Sequence, residues 1–134
     1  MSRPIFILLI LLITAAAAVF RLPDLAERPM HGDEAVNAVK LGETIEGRGY
    51  EYDPHEYHGP ILNYLTLIPA WLGGVGNFVE LQEPILRVVP VVFGTLLVLI
   101  LLPIGDGLGR LASVFVALFT AVSPAMVFYS RYFI

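Results

Sequence analysis

Arg28-Pro29-Met30-His31-Gly32-Asp33-Glu34 is the stretch around which the rest of the chain is arranged. It follows a long uncharged run, Pro4–Phe20. It opens a segment in which Ala35, Val36, Ala38, Val39, Leu41 and Ile45 recur at roughly helical spacing up to Gly47. Pro29 and Gly32 break the chain before the acidic pair. A helix is therefore predicted to start at Asp33, with Asp33 as its N-cap and Glu34 favourable toward the helix dipole. Position N3 is then Val36, so no capping box is expected. A capped carboxylate keeps free lone pairs, and capping and chemistry are compatible at Asp33. A second polar cluster, Tyr57-His58-Gly59-Pro60, stands directly before another apolar run. Carboxylates and imidazoles placed where a chain leaves a bilayer point to chemistry at a membrane surface, on something partly lipid.

Composition supports that setting. Of 134 residues, 57% are hydrophobic and only 15% charged, and the mean hydropathy is +0.75, which argues against a water-soluble domain. There is no cysteine, so disulfides and thiolate metal sites are excluded. The net charge of −4 is unevenly spread: eleven of the twelve acids lie between Asp24 and Glu83, with three bases (Arg28, Lys40, Arg48). An acidic island of this kind lacks the basic footprint of a nucleic-acid binder. His31, His55 and His58 have no recognised zinc spacing, and the run Glu43–Glu56 reads as a solvated loop.

Four uncharged stretches are long enough to be weighed as membrane spans: Pro4–Phe20, Pro60–Val79, Val88–Gly105 and Leu111–Ser130. The first has Arg3 before it and Ala15–Ala18 near its end, which also fits a signal peptide. An uncleaved anchor is simpler, given the spans that follow. The second contains Pro69, Gly73, Gly74 and Gly76, which helix interiors tolerate poorly, and Tyr64 and Trp71, which favour the headgroup level. It reads as a helix lying in or re-entering the interface; hydropathy alone permits a fourth span. Three spans, at about 4–21, 84–104 and 111–130, make residues 22–83 one large external loop with Arg3 and Arg110 inside. Asp33, His58 and Arg131 then share one face. The expected fold is an all-α integral membrane protein with about three transmembrane helices and interfacial helices in its first external loop. Arg87 and Arg131 each adjoin an apolar run, where snorkelling of the long stem accounts for them.

Arg21-Leu22-Pro23 through Gly32-Asp33-Glu34-Ala35-Val36 resembles the first external loop of GT-C membrane glycosyltransferases, which include protein mannosyltransferases and aminoarabinose transferases. Tyr52-Asp53-Pro54, Tyr57-His58-Gly59-Pro60, Ser123-Pro124-Ala125-Met126 and Tyr129-Ser130-Arg131-Tyr132-Phe133 are similar to the largely archaeal flippase-activity-associated branch. The resemblance implies transfer of a sugar, with inversion, from a polyprenyl-phosphate donor at a cell membrane, the active loop being extracellular. It implies Asp33 as the catalytic or metal-associated carboxylate, Glu34 completing the acidic pair, and His58 and Arg131 as phosphate-binding candidates. An oxygen-rich site beside a phosphate suits Mg²⁺ or Mn²⁺ better than zinc. Members of that family are several times longer. The chain is therefore expected to be an N-terminal fragment, inactive alone, whose partner is the C-terminal part of the same enzyme. The alternatives are a non-catalytic accessory subunit of a lipid-linked glycan pathway and a lipid- or ion-binding membrane sensor.

Overall fold

Helix α1 (Arg3–Arg21) begins with Pro4 in its first turn, where the missing N–H costs nothing, and continues through uncharged residues to Arg21. The computed structural model describes residues 1–52, 54–55 and 59–134, and the regular structure among them is entirely helical. After α1 come α2 (Gly32–Ile45), α3 (Ile61–Leu72), a 3₁₀ turn at Phe78–Glu80, α4 (Glu83–Leu99), α5 (Leu101–Leu108), α6 (Arg110–Val122) and α7 (Pro124–Tyr129). Among the described residues two helical stretches, Arg3–Arg21 and Glu83–Leu108, are long and apolar enough to cross a membrane. At 1.5 Å per residue α3 extends about 18 Å, well short of a hydrocarbon core of about 30 Å. The chain divides into two compact units: Met1–Pro23 with Pro90–Arg131, and Asp24–Val89 with Tyr132–Ile134.

In the first unit a face of small residues on α6 receives larger side chains from α1 and the Glu83–Leu108 stretch. α6 buries Ser113, Ala117 and Ala121, spaced four apart, and packs most extensively on α1, which buries Phe6, Ile10 and Ala17. Val98 and Leu101 complete this core. Gly105 lies against the Phe6 ring and Gly94 against Ser130, positions that a Cβ would overlap. Many large apolar side chains, among them Leu8, Leu12, Phe115 and Phe119, point outward. On α6, small residues inside and large ones outside are the packing pattern of a helix whose surroundings are themselves apolar.

The stretch expected to span at 111–130 is not one helix. α6 ends at Val122, Ser123 is extended (φ −57°, ψ 122°), and α7 starts at Pro124. Proline has no N–H for the Thr120 carbonyl and disfavours helical geometry at the residue before it. The vacated carbonyls are claimed by Arg21, fully buried in the same unit. Its guanidinium donates to Thr120 O at 3.0 Å, Ala121 O at 3.0 Å and Ala17 O at 3.1 Å. No carboxylate among the described residues pairs with Arg21, so the broken end of α6 serves as its counter-charge.

In the second unit the core is Ala38, Leu41, Leu86 and Phe133, with Met30, Ile45, Leu62, Leu67 and Leu81 packed around it. Gly42 of α2 admits the Phe78 ring, where a Cβ would stand 2.7 Å from Cδ2. The 3₁₀ turn is fixed at its start: Phe78 N–H donates to Glu46 Oε1 at 3.0 Å, and Val79 N–H to Asn77 Oδ1 at 3.0 Å.

Candidate functional site

The site grows from the start of α2. His31 is extended (φ −74°, ψ 156°) and is the N-cap, two residues earlier than expected: Asp33 N–H donates to its Nδ1 at 3.2 Å. Glu34 is thus N3, and its Oε2 accepts from His31 N–H at 3.0 Å. A reciprocal capping box exists after all, with histidine in the place usually held by serine or threonine. Asp33 is freed from capping. Its side chain is 63% exposed, with Oδ2 3.5 Å from His31 Nδ1.

Glu34 is placed quite differently from its neighbour. It is 1% exposed and is surrounded by N–H donors. Arg87 grips it bidentately, Nε to Oε1 at 2.9 Å and Nη2 to Oε2 at 3.0 Å. Arg28 Nη2 reaches both oxygens at 3.1 Å, and Phe133 N–H donates to Oε1 at 3.0 Å. Burial alone pushes the Glu34 carboxyl up. The Arg87 hydrogen bonds, the His31 and Phe133 amides and the Arg87 charge outweigh it, and the group is held below its ordinary value. Glu34 is therefore ionised, with its lone pairs committed. It positions other groups and has none left to offer a reactant.

Arg87 does not snorkel. It is 1% exposed, and beyond Glu34 its guanidinium donates to the carbonyls of Leu25, Arg28 and Pro29, which ties the approach to α2 onto α4. The segment after Arg131 is held to the same frame. Phe133 is fully buried, its carbonyl accepts from Asn37 Nδ2 at 3.4 Å, and the Tyr132 ring lies 3.4 Å beneath the Arg28 guanidinium with the His31 ring at its edge. Arg28, His31, Asp33 and Tyr132 form one polar surface above the buried Glu34–Arg87 pair.

Of the residues singled out from sequence, Asp33 and Glu34 stand here. Arg131 belongs to the first unit, where its Nη2 donates to Pro23 O at 2.6 Å. His58 lies outside the described residues, as do Asp53, Glu56 and Tyr57. The fit to a divalent cation is poor: no three ligating side chains converge among the described residues, and Glu34 has no free oxygen, so they do not by themselves form a cation site. Arg28, Arg87, Tyr132 and Phe133 were missed as parts of this arrangement. The signal available was Arg87 itself, a charge that interrupts an apolar run and so calls for a partner. Comparison with known proteins found no matching family model, no matching curated protein and no matching solved structure.

Proposed function

We propose that this chain belongs to a multi-pass membrane glycosyltransferase that takes its sugar from a polyprenyl-phosphate donor, with Asp33 as the reactive carboxylate. The observation that carries the reading is the division of labour within the acidic pair: Glu34 is locked into a buried arginine frame, and that frame presents the adjacent Asp33, exposed, at the N-terminus of α2. A carboxylate so placed can accept the proton of an acceptor hydroxyl as it attacks the anomeric carbon. The sugar–phosphate bond breaks, and the polyprenyl phosphate leaves with the electron pair. Holding the base on a rigid element keeps it in line with the hydroxyl, and general base catalysis of this kind contributes about 10²–10⁴-fold.

The lipid part of the donor accounts for a catalytic surface in a chain so apolar. α1 and the Glu83–Leu108 helix are read as crossings, with α6 and α7, about 20 Å and 9 Å long, together making the third. Arg110 donates to the Met1 carbonyl at 3.1 Å, bringing it and Arg3 to one end of the first unit. Two bases at one end favour its assignment to the cytoplasm, and the cell membrane with Asp33 outside as the location.

The test is transfer of labelled sugar by membranes from cells with and without the gene. Polyprenyl-phosphate sugars and nucleotide sugars are offered separately. Gene-dependent transfer from the polyprenyl donor alone is expected. Equal transfer from both strains would make this chain an accessory rather than an enzyme.

A further inference from the structure

Asp33 has an exacting task and a loose seat. In the reading above it must meet an acceptor hydroxyl in line, yet its side chain is 63% exposed and projects from the first turn of α2. A carboxylate in water changes rotamer freely, whereas a misplacement of about 1 Å at a reacting group costs up to about 10²-fold in rate. The group that meets both the backbone and the carboxylate of Asp33 is the His31 ring. Its Nδ1 accepts from Asp33 N–H at 3.2 Å and stands 3.5 Å from Oδ2. That ring is itself 55% exposed, so it too needs a support.

The support comes from the far end of the chain. The Tyr132 ring meets His31 edge-on, with centroids 6.0 Å apart and planes at 65°. Tyr132 is fixed in turn: the Arg28 guanidinium sits 3.4 Å over its face, and both oxygens of Glu34 hold Arg28. The backbone beside Tyr132 is anchored to the same carboxylate through Phe133 N–H, and the Phe133 side chain is fully buried. Glu34 also accepts from His31 N–H. A single carboxylate thus fixes the histidine backbone, the arginine and the residue after the tyrosine, and Tyr132 closes the circuit between guanidinium and imidazole.

We infer that Tyr132 is a positioning residue for the transfer reaction: its ring orients the His31 imidazole, and the imidazole orients Asp33. The inference rests on Asp33 as the reactive carboxylate and adds a residue that acts through another side chain. It carries a signature apart from activity. With Nδ1 accepting from an amide, the neutral His31 ring keeps its proton on Nε2, so the tautomer reports the orientation.

The test has two arms. Transfer from a polyprenyl-phosphate sugar is measured in membranes of strains carrying each variant at the gene's own locus, per amount of accumulated protein. Ring-nitrogen signals of ¹⁵N-histidine are recorded from the detergent-solubilised chain in alkaline buffer. There are three histidines, so His31 is assigned by the signal lost in His31→Asn. Tyr132→Leu should lower kcat about 10–100-fold with KM unchanged, and should turn the single Nε2–H tautomer into a mixture. Tyr132→Phe keeps both ring contacts and should recover most of the turnover and the native signal. In a His31→Ala background, Tyr132→Leu should cost less than about a further twofold, because the ring then has nothing to orient. Should Tyr132→Leu fail to accumulate, Tyr132→Met, whose flexible side chain fills irregular gaps, takes its place. Additive losses in the double variant overturn the inference, as does a native tautomer in Tyr132→Leu. A mixed tautomer with normal kcat also overturns it, since the ring then orients His31 to no effect. Wild-type membranes without gene-dependent transfer, beside the expected tautomer response, mean that the glycosyltransferase reading has failed and this role with it.

Discussion

Replacing Glu34 by glutamine removes one negative charge from the middle of the second unit and leaves size and shape nearly unchanged. In the native chain five N–H groups converge on this carboxylate: two from Arg87, one from Arg28 and the amides of His31 and Phe133. The neutral amide leaves the Arg87 guanidinium, 1% exposed, without a counter-charge and turns an NH₂ group toward at least one existing donor. Breaking a buried pair by removing one member costs about 3–5 kcal/mol. Glu34→Gln should therefore destabilise the second unit by about that much, read as faster amide exchange along α2 in detergent-solubilised chain. The acid limb gives an independent check. Because the folded carboxyl is held below its ordinary value of about 4.5, its contribution is fully present above that pH and is lost as pH falls through the folded value. Glu34→Gln should lack that loss. The double variant Glu34→Leu with Arg87→Leu should recover most of the stability, since replacing both partners by apolar groups is often neutral. Exchange in Glu34→Gln within about 0.5 kcal/mol of wild type would refute the frame, because ordinary surface substitutions stay inside that range.

Three further outcomes follow from the packing. Arg21→Met leaves the Thr120 and Ala121 carbonyls without their donor and should cost about 2–5 kcal/mol, with exchange rising first around Ser123–Val127. Gly94→Ala forces Ser130 away from α4 and should cost about 1–3 kcal/mol in a thermal melt, whereas Gly107→Ala, with nothing near its Cβ position, should fall within about 0.5 kcal/mol. Phe133→Ala empties the centre of the second core and should cost about 3–5 kcal/mol, monitored by proteolysis within α2.

The helices were legible because uncharged runs and a 3.6-residue period are local properties. What escaped depends on partners distant in sequence. Hydropathy runs unbroken through Leu111–Ser130, yet Ser123-Pro124 divides it, for a backbone reason that a hydropathy average does not register. His31 is an uncommon cap, so the box it forms with Glu34 lay hidden, and Asp33 was given a role that its neighbour's ring performs. Arg87 reads as a snorkelling side chain until Glu34, 53 residues earlier, is placed beside it. Pro60–Val79 was legible as a helix of the interface, but its composition does not say which face turns inward. Asn63 and Thr66 settle that only once their burial is known.

The central claim is that Asp33 performs the chemistry while Glu34 holds the frame, and it is tested most directly by Asp33→Asn expressed from its own locus. With Asp33 exposed and not the cap, the substitution should leave protein levels unchanged and alter the second unit's stability by no more than about 1 kcal/mol, the size of a helix-dipole interaction. Transfer from a polyprenyl-phosphate sugar in membranes of that strain should fall by about 10²–10⁴-fold. Transfer close to wild type, from normally accumulated and folded protein, would contradict it.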